Sequence, residues 1–409
     1  MYLQLAWRNI WRNPRRTAVI LAAVIIGVWS MIFLGALMHG IAVGMVKNGI
    51  ATLTGHIQIH HKGYRNDPAI ENSITGAQIQ DVVTALNEVL PPQTQWVHRV
   101  RVNAIANNAR HSSGITMVGI DPPAEAKISF IGEAISRGRY LEPDDSNGIL
   151  VGEALLEKFE TKIGRKLVLM SQDTAQDIAS RAFRIVGVFK AEMESIEKQF
   201  AFVTRAASQE MLKLNGGISE VSILLPDGPD YMEVYEDMKS TLRSENFEVH
   251  TWRELLPFQT AYLRILDGFI WIWFLVVFVA MGFGIVNTTL MAVFERMREF
   301  GLMKALGMKP WWILREVLVE SFLLLIIGMM VGNVLGFISI YAFSGTGIDL
   351  SAMAAGAEYA GMSRIIYPAI AARDLWVANL TVLLLGLLVS VYPAIKASRF
   401  TPVEALAHT

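Results

Sequence analysis

Residues able to do chemistry are few in this chain. His56, His60 and His61 lie in the run GHIQIHHKGY, where strand alternation places His56 and His60 on one face with Gln58 between them. That spacing is too wide for two ligands of one metal, and no carboxylate or cysteine stands beside them. They read as solvated strand histidines. Glu192, Glu194 and Glu197 in FKAEMESIEKQF read as an exposed acidic loop rather than a catalytic or cation-binding set. The chain has no cysteine, no H-E-x-x-H, no G-x-S-x-G and no G-x-x-x-x-G-K-[ST]. Its own residues therefore predict no active site, no metal and no bound cofactor. The net charge of -1 leaves no electrostatic footprint for nucleic acid.

The remaining suspects sit beside apolar runs. Of 409 residues, 53% are hydrophobic, an excess that concentrates in four uncharged stretches. Each exceeds the roughly 20 residues a helix needs to cross a bilayer. The predicted fold is an α-helical membrane protein with four transmembrane helices and a large α/β extracytoplasmic domain inserted between the first and second. The expected boundaries are a surface helix at 1–16, spans at 17–46, 265–294, 317–348 and 375–395, and the extracytoplasmic domain at 47–264. A cytoplasmic segment occupies 295–316, an outer loop 349–374 and a cytoplasmic tail 396–409. The first span is too long for a signal-peptide core and reads as a retained anchor.

Lysine and arginine resist translocation and set the orientation. Arg8, Arg12, Arg15 and Arg16 precede the first span, Arg296, Arg298, Lys304, Lys309 and Arg315 lie between the second and third, and Lys396 and Arg399 follow the fourth. The outer connection carries only Arg364 and Arg373. Both termini are expected to be cytoplasmic. Leu3, Trp7, Ile10 and Trp11 share one face of the N-terminal segment and Arg8, Arg12 and Arg15 the other, as in an interfacial helix facing anionic lipid. Asn13 and Pro14 read as the N-cap and first turn of the first span.

In the large insertion, ITMVGI, GILVG, KLVLM, FRIVGVF and VSILL read as strands. ITGAQIQDVVTALNEVL, GEALLEKF, TRAASQEMLKL and MEVYEDMKSTL read as helices. The expected subdomains are 47–120 with 215–260, and 121–214. Within the spans, Asn287, Thr288 and Thr289 could bond to a neighbouring helix. Gly328, Gly332 and Gly336 form a small-residue ridge, for packing within the chain or across a dimer. Glu320, one turn from Glu316, is expected at headgroup level in a structural role.

The segment FERMREFGLMKALGMKP predicts a helix over 295–308, stopped by Gly307 and blocked by Pro310. Phe294, Met297, Gly301, Ala305 and Met308 share one face, whose small residues would admit a partner surface. The pairs Arg296/Glu299 and Glu295/Arg298 support the helix.

The run GFGIVNTTLMAVFERMREFGLMKALGMKPWWILREVLVES resembles the core signature of the FtsX-like, MacB-type permease superfamily of ABC transporters. The superfamily includes macrolide-exporter, lipoprotein-releasing and cell-division permeases. The resemblance rests on Asn287, Thr288, Glu295, Arg296, Arg298, Glu299, Gly301, Ala305, Leu306 and Gly307, and on Pro393, Ala394, Ala397, Pro402, Ala405 and Leu406. RGRYLEPDDSNGILVGEALLEKFETKIGRKLVLM and FRIVGVF are similar to stretches of lipoprotein-releasing permeases. The resemblance implies a permease dimer, homo- or heteromeric, driven by cytoplasmic ATPase subunits that bind ATP and Mg. The coupling helix would comprise Glu295, Arg296, Arg298, Glu299, Gly301, Lys304, Ala305, Leu306 and Gly307. It implies a bacterial inner-membrane protein that moves a lipoprotein, lipid or other amphiphile from the outer leaflet, with a lipoprotein or periplasmic carrier as further partner. With no ATPase domain in the sequence, the fused macrolide-exporter subtype is not expected. Trp29, Phe33, Phe269 and Trp273 are candidates for an apolar cavity between protomers. The alternative is a regulatory permease that activates a cell-wall hydrolase and transports nothing.

Overall fold

The computed structural model describes residues 2–226, 230–242, 246–349 and 365–401, with side chains from Ala6 onward. Arg364, Pro402, Ala405, Leu406 and the side chain of Leu3 lie outside what it describes, as does most of the 349–374 connection. The helices in chain order are α1 (Tyr2–Arg12), α2 (Pro14–Gly49), α3 (Gly76–Val89), α4 (Pro122–Glu125), α5 (Glu153–Lys158), α6 (Glu194–Gln199), α7 (Arg205–Leu212), α8 (Tyr231–Thr241), α9 (Trp252–Leu255), α10 (Pro257–Glu295), α11 (Met297–Ala305), α12 (Pro310–Thr346) and α13 (Ala372–Arg399). Four of them, α2, α10, α12 and α13, are long and apolar enough to span a membrane. The chain divides into two compact units, one made of residues 1–43, 263–349 and 365–409, the other of 44–262 and 350–364.

The first unit is a bundle around Val24, Val28, Met31, Phe274, Met281, Leu325 and Val382. One close seam is the glycine ridge. A Cβ on Gly328, Gly332 or Gly336 of α12 would lie 2.6 Å from Val24, 2.8 Å from Val28 or 2.9 Å from Ile32 of α2 respectively. The ridge thus serves packing within the chain, with β-branched residues at the same four-residue spacing filling it. On the other side of α12, Asn333 and Asn379 of α13 exchange amide hydrogen bonds, Nδ2 to Oδ1, at 2.7 and 3.0 Å. Reciprocal pairing satisfies both amides where lipid offers no partner.

The second unit is strand-rich: β1 (Ile57–His61), β2 (Gln95–Asn107), β3 (Ser112–Ile120), β4 (Ile135–Gly138), β5 (Gly148–Gly152), β6 (Lys166–Gln172), β7 (Ile178–Phe189), β8 (Phe200–Thr204), β9 (Glu220–Leu224) and β10 (Phe247–Thr251). The first half of β2 joins an antiparallel sheet of order β10-β1-β9-β2. With α3 and α8 this is a split β-α-β arrangement. Its core holds Ile57, Ile59, Val82, Leu86, Ile223 and Met238. The second half of β2 pairs with β3 and β6, and the path β2-β3-β8-β5-β7-β6 returns to β2 as a closed ring. Closure leaves those six strands no free edge. The sheet therefore divides inside β2, near residue 100, and β3 belongs to the ring; the expected division lay at 120. A one-dimensional pattern cannot show that one long strand serves two cores.

The histidine expectation needs correction. His60 is only 3% exposed and Gln58 2%, because the polar face of β1 is covered as well as its apolar face. Tyr64 stacks on the His60 ring at 4.9 Å, and His60 Nε2 pairs with Gln58 Oε1 at 3.0 Å. Burial pushes the His60 imidazole down to about 4. Glu197 is not in an exposed loop either: its carboxylate accepts the backbone amides of Ala154 and Ala191 at 3.0 and 2.9 Å.

Under the same face lies a buried polar cluster with no signature in the sequence. Arg99 donates Nε and Nη2 to the two oxygens of Glu125 at 2.9 and 2.8 Å, and Nη1 to Glu220 at 3.3 Å. Nη1 also donates to the carbonyl of Leu53, a residue held at φ +88° in the irregular turn that ends the α2 segment. The bidentate arginine fork fixes where that turn sits on the sheet.

Candidate functional site between the second and third spans

Helix α10 runs through Glu295, breaks at Arg296 (φ -101°, ψ 11°) and resumes as α11. No proline or glycine makes this break. Arg296 holds it from the side, donating Nη2 to Glu316 at 2.7 Å, Nη1 to Glu320 at 3.0 Å and Nε to Glu299 at 3.3 Å. Its guanidinium also lies 5.0 Å from the centre of the Phe300 ring. The network extends to the N-terminal segment. Arg12 meets Glu299 at 2.8 Å, Asn9 donates to Glu316 at 3.0 Å, and Arg16 reaches Glu295 and Glu320 at 3.4 and 3.3 Å. Five elements, α1, α2, α10, α11 and α12, are thus tied through the Arg296 guanidinium with its three carboxylate partners and through Arg16, which adds Glu295.

The far end of α11 is fastened separately. Lys304 Nζ donates to the carbonyls of Ser398 and Phe400, at 2.7 Å for the latter, where α13 ends and its last carbonyls lack helical partners. Burial pushes the Lys304 ammonium below the usual lysine range. Beneath α11, Phe300 packs with Val293, Ile313, Val317, Ala394 and Ala397. Gly307 adopts φ +91°, and Met308 N–H bonds back to Met303 at 3.0 Å, a left-handed helix stop that favours glycine.

Placed on this geometry, the expected partner face splits. Met297 and Gly301 turn inward and are buried in the chain itself, whereas Phe294, Ala305 and Met308 are exposed. The outward surface consists of Arg298, Leu302, Ala305, Leu306 and Gly307, with Leu306 80% exposed. Glu295, Arg296 and Glu299 take part in the ion-pair network, and Lys304 in the separate contact with the end of α13. Face assignment by helical angle alone missed this because it does not know which side α12 and α13 occupy.

The aromatic candidates fall into two places. Trp29 and Phe33 stack at 6.1 Å on α2; Trp29 Nε1 donates to Ser339 at 3.0 Å, and Phe33 meets Phe343 at 6.0 Å. On α10, Phe269 is exposed and Trp273 is half-buried against the bundle core. Asn287 is exposed, and Thr288 bonds back to its own helix at Gly284 O, 2.7 Å, instead of reaching a neighbour. On α1, Trp7 and Trp11 are exposed and form an edge-on pair at 5.9 Å, while Ala6 and Ile10 are fully buried. The sequence reading overlooked Asn9 and the pairing of Arg12 and Arg16 across the bundle. The four-residue spacing of Glu316 and Glu320 was the available signal.

Two family models match. The MacB-like periplasmic core domain covers residues 17–241 and the FtsX-like permease C-terminal region covers 271–402. The chain belongs to the FtsX-like, MacB-type permeases of ABC transporters. It is a multi-pass membrane protein whose large insertion is the MacB-like periplasmic domain. An uncharacterized ABC transporter permease of Methanocaldococcus jannaschii is 26% identical over 51% of each chain. The lipoprotein-releasing system transmembrane protein LolC of Xylella fastidiosa is 24% identical over 76% of each chain. The macrolide export ATP-binding/permease protein MacB of Marinobacter nauticus is 24% identical over 99% of this permease and 60% of its own length. The permease thus spans about half the length of the first of these relatives and 60% of the last. Permeases of this family work with ATPase subunits.

Proposed function

We propose that this permease couples ATP hydrolysis by a separate cytoplasmic ATPase subunit to movement of its periplasmic domain, and so extracts or exports a lipoprotein, lipid or other amphiphile from the outer leaflet of the cytoplasmic membrane. The observation that carries the reading is the two-sided character of α11. One side is tied to α1, α12 and the end of α13 through Glu299, Arg296 and Lys304. The other leaves Arg298, Leu302, Ala305 and Leu306 open. A lever needs both: a surface another protein can press, and attachments stiff enough to pass the displacement on. In this reading ATP and Mg are held by the ATPase, a second permease copy or homologue completes the assembly, and both termini are cytoplasmic by the bias of Arg8, Arg12, Arg15 and Arg16.

An amphiphilic substrate is supported by the LolC relative, whose name gives lipoprotein release, and by the apolar positions Trp29, Phe33, Phe269 and Trp273. The test is to introduce Leu302→Asp with Leu306→Asp. The double variant should insert and melt normally yet lose co-purification of the ATPase and all substrate release in reconstituted vesicles. Undiminished ATPase recovery would overturn the docking role of α11.

A further inference from the structure

The periplasmic unit carries two adjoining hollows, of 750 and 410 Å3, that share Pro68, Val102, Asn103, Thr116 and Gln199 as lining and so form one trough. Its two arms differ in chemistry. The larger is lined by Ile70, Ile105, Ile115, Met170 and Ile178, of which Ile105 and Ile178 are 48% and 75% exposed. The smaller is lined by Thr54, His60, Arg65, Arg101, Glu220 and Pro257.

The polar arm has unspent bonding capacity of both signs. Glu220 is 1% exposed, and its Oε2 has no hydrogen-bond donor; the ring atom Nδ1 of His60, itself 3% exposed, has none either. Because His60 Nε2 is engaged by the Gln58 carbonyl oxygen, Nδ1 is left as the acceptor. Two buried acceptors without donors are costly and call for a donor-bearing group. Facing them, Arg101 Nη1 stands 3.7 Å from Glu220 Oε2, and Arg65 Nη1 stands 3.9 Å from Glu254 Oε2. Both contacts are too long for hydrogen bonds, and both guanidinia are partly exposed, at 31% and 44%. Arg65 Nη2 donates to the Glu254 carbonyl at 2.9 Å and Arg101 lies over the Phe200 ring at 5.5 Å, so each is held in place with further N–H groups to offer an anion.

We propose that this trough binds an amphiphile with an aminophosphate head, the ammonium on Glu220 and His60, the phosphate on Arg65 and Arg101, and the alkyl chain along Ile105, Ile115, Met170 and Ile178. Each arm is of the size that ligand sites occupy. A charge of each sign at one end and an apolar slot at the other select for a zwitterionic head joined to a hydrocarbon tail. The inference is independent of the transport reading, since it concerns binding by this chain alone.

The chain has no cysteine, so Ile178→Cys provides a single attachment point for a polarity-sensitive dye. That protein, in phosphatidylcholine nanodiscs, is titrated with dihexanoyl phosphatidylethanolamine, dihexanoyl phosphatidylcholine and glycerophosphoethanolamine. The ethanolamine lipid should give a saturable blue shift, and the choline lipid, which has no N–H to donate, should bind about tenfold more weakly. Glycerophosphoethanolamine should compete only weakly and leave the dye unshifted. Arg65→Gln and Arg101→Gln, both at partly exposed positions, should each raise the half-saturation concentration about tenfold. Equal response to the two lipids, no saturation, or a free head that binds as tightly as the lipid would each overturn the assignment. The lipid comparison needs no variant of the polar arm, so it decides the question even where an arginine replacement misfolds.

Discussion

Arg296 and Glu316 meet at 2.7 Å, joining the break after α10 to the start of α12. The same guanidinium holds Glu299 and Glu320, so the start of α11 is fastened to α12 through one side chain that is only 7% exposed. A buried ion pair is weak evidence for stability, but removing one partner strands the other.

Arg296→Met is therefore expected to destabilise the bundle by about 3–5 kcal/mol, because Glu316 loses its counter-charge and Glu320 keeps only Arg16 at 3.3 Å. Arg296→Lys should recover little, since an ammonium cannot span three acceptors in a fork. Adding Glu316→Gln and Glu320→Gln to Arg296→Met should restore part of the loss. Thermal melts of the four proteins in one detergent check this ordering; a melt of Arg296→Met matching that of the parent would refute it.

Gly332 faces Val28 so closely that Gly332→Ala places its methyl 2.8 Å from the valine Cβ. Overpacking of this kind costs about 1–3 kcal/mol. Val28→Ala in the same chain should return only the part due to the valine Cγ1 at 3.0 Å, because the Cβ and the Ile25 carbonyl at 3.0 Å stay in place. Gly35, which has nothing within 4 Å of a Cβ, should accept alanine with no loss. Melting temperatures of the single and double variants separate this pairing from a general intolerance of α2 to change.

His60 makes stability fall on the acid side. Its pKa drops from 6.5 in the unfolded chain to about 4 in the fold, so the folded state binds fewer protons between those values. The contribution is whole above pH 6.5 and is lost as pH falls toward 4. It amounts to on the order of 1–3 kcal/mol. His98, lowered to about 4 chiefly by burial, acts in the same direction. Melts of the full chain and of His60→Gln at pH 7.5, 6 and 4.5 should show a shallower acid limb in the variant. Parallel curves would exclude His60 as the titrating group.

Much of this protein was legible in one dimension. Four apolar stretches, each longer than a bilayer is thick, dictated four long helices, because hydrocarbon leaves the backbone no partner except itself. Gly307 and Pro310 marked where α11 stops, and Gly328, Gly332 and Gly336 announced a close helix contact. Alternation located β1, β3, β5, β6, β7 and β9. These features depend on local geometry or on a solvent that acts on every residue alike. What decided the rest was which elements lie beside one another. Only the fold shows that the glycine ridge meets Val24, Val28 and Ile32, that β2 is shared between an open sheet and a closed ring, and that His60 is covered on its polar side. Only the fold turns Met297 and Gly301 inward and Leu306 outward. Arg99 and Glu125 are 26 residues apart, and Arg16 and Glu320 are 304 apart. Ion pairs over such separations leave no periodic trace, because the attraction is between positions in space and the sequence records only order along the chain.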